Sequence, residues 1–194
     1  GIIGAMEEEV AALKSEMADA KVTEFASMTF YKGTLCGKDV VVVRSGIGKV
    51  NAAICAQILV DKFGVDTLIN TGIAGSLDAR IDIGDMVIST DAVHHDMDAT
   101  IFGDAIGQVP RMDTRTFPAD PHLVELAVKA NEKANPQIHT FTGRVASGDQ
   151  FISSGEVKAR IVENFQALCT EMEGAGIAHA AYLNKVSYVI IRAI

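Results

Sequence analysis

The chain has no tryptophan, four prolines and three cysteines among 194 residues, and aromatic residues make up only 6% of it. Cys36, Cys55 and Cys169 are odd in number, far apart and without a CxxC pair. A disulfide framework and a thiolate zinc site are therefore not expected, and the three read as small hydrophobes of a reducing compartment. No apolar run approaches the roughly 18 residues of a membrane span, and the opening lacks the basic start and apolar core of a signal peptide. The expected location is the cytoplasm. The 17 Lys and Arg residues form no run or stripe against 25 Asp and Glu, leaving a formal charge of -8. Such a surface repels a phosphate backbone, which excludes nucleic acid as a partner.

What is present fits a soluble α/β protein: 48% hydrophobic residues, 22% charged and 17 glycines. No composition shift marks a boundary, so residues 1–194 read as a single domain. Both ends fall inside apolar, strand-like runs, and the domain is expected to continue beyond Ile194. Strand and helix patterns alternate, predicting a three-layer α/β/α architecture with a central mixed sheet. The predicted order opens with strand 1–4, helix 7–18 and a hairpin of strands 28–34 and 38–44. A buried helix 49–62, strand 66–70 and strand 84–90 follow. Residues 97–118 lack periodicity and read as a long loop. Helix 119–133, strand 138–147, helix 154–164, strand 167–172, helix 173–184 and strand 186–193 complete the chain.

The densest chemistry lies at Glu7-Glu8-Glu9, directly after the apolar Gly1-Ile2-Ile3-Gly4-Ala5-Met6. In open α/β sheets ligands bind outside the carboxyl ends of strands, so a carboxylate here is placed for catalysis as well as for helix initiation. Glu7 and Glu8 are assigned to the helix start and Glu9 is the catalytic candidate. Glu171-Met172-Glu173 repeats the arrangement before the small-residue run Gly174-Ala175-Gly176. Ser45-Gly46-Ile47-Gly48-Lys49 and Thr71-Gly72-Ile73-Ala74-Gly75 bring glycine-rich backbone to strand ends, but neither matches a dinucleotide or P-loop motif. Phe151 sits in the polar loop Ser147-Gly148-Asp149-Gln150 as a loop anchor or a stacking surface for a planar ligand. His94-His95-Asp96-Met97-Asp98 has metal-type side chains without metal-type spacing, since adjacent strand residues face opposite ways. Hydrogen bonding at a strand end is the better account, and no metal or cofactor is expected.

Taken in order and spacing, these five segments closely resemble the bacterial 5'-methylthioadenosine/S-adenosylhomocysteine nucleosidases. The resemblance implies the nucleoside phosphorylase fold, a homodimer, and hydrolysis of an adenine N-glycosidic bond without a cofactor. It also implies that Glu9 activates water, and that Glu173, Met172 and Glu171 lie at the ribose. By the same resemblance Phe151 and Ile152 meet the base beside Ile47, Ile73, Ala74 and Gly75, while Phe102 and Pro110 close the 5'-alkylthio pocket of the partner subunit. Family members follow Arg-Ala-Ile with Ser-Asp, whose aspartate protonates adenine; that acid lies beyond Ile194. Ile73 and Asp104 stand where many members carry Ser and Tyr. A phosphate-dependent phosphorylase, a futalosine hydrolase and a non-catalytic nucleoside binder are the competing expectations.

Overall fold

The inner strands of the sheet are the runs that are apolar on both faces, which is the signature of parallel strands covered by helices above and below. The computed structural model describes residues 1–194. The chain runs β1 (Ile2–Gly4), α1 (Glu7–Glu16), β2 (Ala18–Phe25), β3 (Met28–Leu35), β4 (Lys38–Arg44), α2 (Lys49–Phe63), β5 (Thr67–Ile73) and β6 (Gly75–Ser76). It continues through β7 (Met86–His94), a 3-10 turn (Thr100–Phe102), β8 (Phe117–Pro118), α3 (Pro121–Ala134), β9 (Thr140–Ser147), α4 (Gly155–Phe165), β10 (Cys169–Glu171), α5 (Gly174–Asn184) and β11 (Ser187–Ala193).

The strands order as β2-β3-β4-β1-β5-β11-β7-β9-β10-β6, with β8 paired to β7. β4, β1, β5 and β11 are mutually parallel. β7, β9 and β10 form a second parallel set, joined antiparallel to β11. β6 follows β5 after the single residue Ala74 and pairs with β10 through Thr170↔Gly75. Consequently β5, β11, β7, β9, β10 and β6 close on themselves as a ring. This closure sets the end of β10 beside β11, and with it Glu171 beside Arg192.

Consecutive strand residues face opposite ways, and the two cores follow that rule. Val145 joins the main cluster of 24 buried residues with Leu59 of α2 and Ile177 of α5. Its neighbour Ala146 joins Val93, Ile161 and Phe165 beneath α4. α1 lies on the α4 side, where Gly4 leaves room for Val10: an added Cβ would come within 2.7 Å of it.

Several predicted boundaries shift. Helix 7–18 stops at Glu16, and the unpredicted edge strand β2 follows. β2 is exposed almost throughout and lacks the alternation that identifies a strand; Lys21 and Glu24 on it suit an edge that must not pair with other chains. β5 continues through Thr71-Gly72 to Ile73, where a turn was expected. β7 extends to His94 past a register shift between Ser89 and Asp91. The loop 97–118 contains the 3-10 turn and β8, whose Phe117 is fully buried. Because Leu59 is fully buried in the main core, Leu59→Ala is expected to lower unfolding free energy by about 2–5 kcal/mol. Denaturant titration should show a lower midpoint at an unchanged slope.

Candidate active site

Glu9 is the third residue of α1, the position from which a glutamate can reach back to the backbone before the helix. Its Oε2 accepts from the N–H of Ala5 at 2.6 Å and of Met6 at 3.0 Å, while Oε1 accepts from Ile73 N–H at 3.1 Å. Glu7 and Glu8 stand in the first turn of α1 as expected, Glu7 also pairing with Lys14 at 2.5 Å. Glu9 has a second part besides facing the cavity, since it caps the same helix. The cap ties the carboxylate to backbone from two strand ends, so it is held without relying on its own rotamer.

The same economy of space recurs at Gly72. A Cβ there would lie 2.2 Å from Arg192 Nη1 and 2.4 Å from Glu9 Oε1, so only glycine lets both groups approach β5. Arg192 itself is 1% exposed. Its Nη2 donates to Asn70 Oδ1 at 2.5 Å and pairs with Glu171 Oε2, while Glu173 Oε2 lies 3.7 Å away. Glu171 also accepts from Ser147 Oγ, from Glu173 N–H at 3.2 Å and from Gly174 N–H at 2.8 Å. Its carboxylate is fully engaged by protein donors. Expected among the ribose ligands, Glu171 stands on the cavity wall with both oxygens already engaged, and these bonds fix the turn carrying Met172 and Glu173. Glu173 Oε1 accepts from Gly48 N–H at 2.9 Å. Burial raises the pKa of Glu173 above the usual carboxylate range, and the neighbouring Glu171 charge adds to this.

One cavity of about 390 Å³ gathers Glu9, Ile47, Ile73, Ala74, Gly75, Phe151, Ile152, Glu171, Met172 and Glu173 on its walls. Its size falls in the range of small-molecule sites. Ile47, Ile73 and Phe151 are exposed at its rim, Phe151 by 85%. Phe102 and Pro110 do not line it; both are exposed on the long loop. The pairing of Arg192 and the parts played by Ser147 and Asn70 were not among the sequence expectations. A signal for Arg192 existed: an arginine inside Val189-Ile190-Ile191-Arg192-Ala193 must find a carboxylate if that strand is buried.

His94, His95 and Asp96 diverge. His94 Nε2 lies 3.3 Å from His179 Nδ1, and His179 stacks on Phe117 with ring centroids 4.6 Å apart. Asp96 pairs with Lys49. Burial pushes both neighbouring imidazoles below their ordinary range, His94 to about 4.

The family model of the phosphorylase superfamily matches residues 1–194. A 5'-methylthioadenosine/S-adenosylhomocysteine nucleosidase of Colwellia psychrerythraea is 46% identical over 199 aligned residues, covering 100% of this chain and 82% of the relative. One from Staphylococcus saprophyticus is 45% identical over 196, with 100% and 84% covered. The solved structure of the Colwellia protein in complex with adenine superposes with a TM-score of 0.95 at 46% identity, covering 100% of this chain and 80% of that one. A futalosine hydrolase mutant of Helicobacter pylori superposes with a TM-score of 0.93 at 32% identity, with 100% and 87% covered. The chain belongs to the phosphorylase superfamily and, within it, to the family of the 5'-methylthioadenosine/S-adenosylhomocysteine nucleosidases.

Two outcomes follow from this geometry. Gly72→Ala is expected to cost about 1–3 kcal/mol of stability by overpacking and to lower turnover at least about tenfold by displacing Glu9 and Arg192; steady-state assays and thermal unfolding read both. For His94, the folded pKa near 4 lies below the ordinary 6.5, so the native state binds fewer protons than the unfolded chain. That contribution is present above pH 6.5 and is lost as the pH falls toward 4, by about 3 kcal/mol in all. Chemical denaturation at about pH 7 and about pH 4.5 should show a smaller drop for His94→Phe than for wild type.

Proposed function

We propose that this chain hydrolyses the adenine N-glycosidic bond of 5'-methylthioadenosine and S-adenosylhomocysteine, releasing adenine and the 5'-thioribose product. The observation that carries the reading is the capped Glu9 carboxylate on the wall of a cavity whose rim is apolar and includes Phe151. A planar purine suits Phe151, and an apolar thioether suits the exposed rim. In this reading Glu9 takes a proton from water as the water oxygen bonds to the anomeric carbon. The bond to the purine nitrogen breaks, its electron pair leaves with adenine, and the purine must be protonated as it departs. We assign that acid to residues following Ile194, the aspartate implied by the family resemblance.

Glu173 is assigned to the ribose hydroxyls. A contact that strengthens as positive charge develops on the ribose lowers the barrier. Met172 packs beside the sugar. Glu171 we assign to positioning, because Arg192, Ser147 and two backbone N–H groups already occupy its oxygens.

Charge favours water over phosphate as the nucleophile. Glu9, Glu171 and Glu173 line the cavity, and the nearby guanidinium of Arg192 is already paired. The other cations near strand ends are Lys49, paired to Asp96, and the exposed Arg44. An incoming phosphate would meet three carboxyls and no free buried cation.

We further assign the protein to a homodimer. Val50 and Ile54 on α2 and Tyr182 and Leu183 on α5 are exposed apolar residues on helices bridged by Gln57 and Asn184. By the family resemblance, Phe102 and Pro110 of the partner subunit would then close the 5'-alkylthio end of the cavity. No helix is long and apolar enough to cross a membrane.

The full-length protein in phosphate-free buffer is expected to release adenine from methylthioadenosine. Glu9→Gln should retain adenine binding and lose about 10²–10⁴ in kcat. Near-normal turnover by that variant removes Glu9 from the mechanism.

A further inference from the structure

Two loops that contribute to the cavity wall touch each other: residues 45–49, which lead into α2, and residues 147–152, which carry Phe151. Both are fastened to a side chain outside the cavity lining. Asp96 Oδ1 pairs with Lys49 Nζ, the first residue of α2. Asp96 Oδ2 accepts from Asp149 N–H at 2.8 Å. Asp149 Oδ1 in turn accepts from Lys49 N–H at 2.8 Å, closing a ring of contacts between the loops. The adjoining backbone is equally constrained. His95 N–H donates to Ser147 O at 2.9 Å, and a Cβ on Gly148 would come within 2.4 Å of the His95 ring.

We propose that Asp96 is a positioning residue for the hydrolytic reaction, acting as a latch that sets the spacing between the loop bearing Phe151 and the N-terminus of α2. Through Phe151 it governs the base site, where stacking is made with substrate and transition state alike. The lowered Asp96 pKa is consistent with this: burial opposes ionisation, but the Lys49 ammonium and the Asp149 N–H together outweigh it. Neither oxygen of Asp96 is directed at a substrate position, so its removal loosens ground-state and transition-state contacts alike, and the effect falls on KM.

This inference rests on the nucleoside-hydrolase reading, and two measurements separate them. In steady state, Asp96→Asn is expected to raise KM for methylthioadenosine about tenfold with kcat within about threefold of wild type. Lys49→Met should behave alike, and the double variant should be no worse than the weaker single, because both break one latch. A normal KM, additive effects, or a fall in kcat alone would overturn the proposal. In ligand-free protein, amide exchange across residues 148–152 should quicken about tenfold in Asp96→Asn while the core of β9 is unchanged. Unchanged exchange there contradicts the latch whatever reaction the protein performs, whereas failure of the wild type to release adenine contradicts only the hydrolase reading.

Discussion

A single buried guanidinium organises the catalytic end of this molecule. Arg192 enters from the inner strand β11, almost without exposure, and a lone charge in that position would cost several kcal/mol. The sequence compensates with Glu171 at the end of β10 and Asn70 on β5. Asn70 lies on the neighbouring strand β5, whereas Glu171 comes from β10, which reaches β11 only once the ring closes through β6 and β10. Satisfying Arg192 therefore requires the ring to close, and closing it aligns the turn that presents Met172 and Glu173.

The arrangement explains why so much of the site is built from backbone. Glu9 is held by three N–H groups and Glu173 by one, and neither depends on a long flexible partner. Preorganised donors of this kind cost no rearrangement during reaction. They also demand close approach, which Gly72 and Gly148 permit. The charge balance follows too: because the arginine is spent on structure, the cavity keeps carboxyl character and suits a developing positive ribose better than an anionic nucleophile.

Much of this was legible in the sequence. Apolar runs such as Ile2-Ile3 and Val189-Ile190-Ile191 announced buried strands, and the carboxylates placed directly after strands come together on one cavity wall. What escaped had no local signature. β2 is an exposed edge strand held by pairing with β3, so its residues carry no alternation. Phe117 lies in an aperiodic stretch and is buried only because β8 pairs with β7 and His179 stacks on it. The roles of Glu171, Asn70 and Ser147 depend on contacts across as many as 122 residues, which spacing along the chain cannot encode. Glu9 was identifiable as a candidate carboxylate, and its cap to Ala5 and Met6 follows from its place in the first turn of α1, but the bond from Ile73 N–H arises only once β5 is set beside it.

The cavity offers an extra anion no unpaired cation, which leaves water as the attacking group. The most direct measurement incubates the full-length protein with methylthioadenosine and excess inorganic phosphate and identifies the sugar product. Free 5-methylthioribose, formed at a rate independent of phosphate, is the predicted result. A ribose 1-phosphate whose yield tracks the phosphate concentration would contradict it.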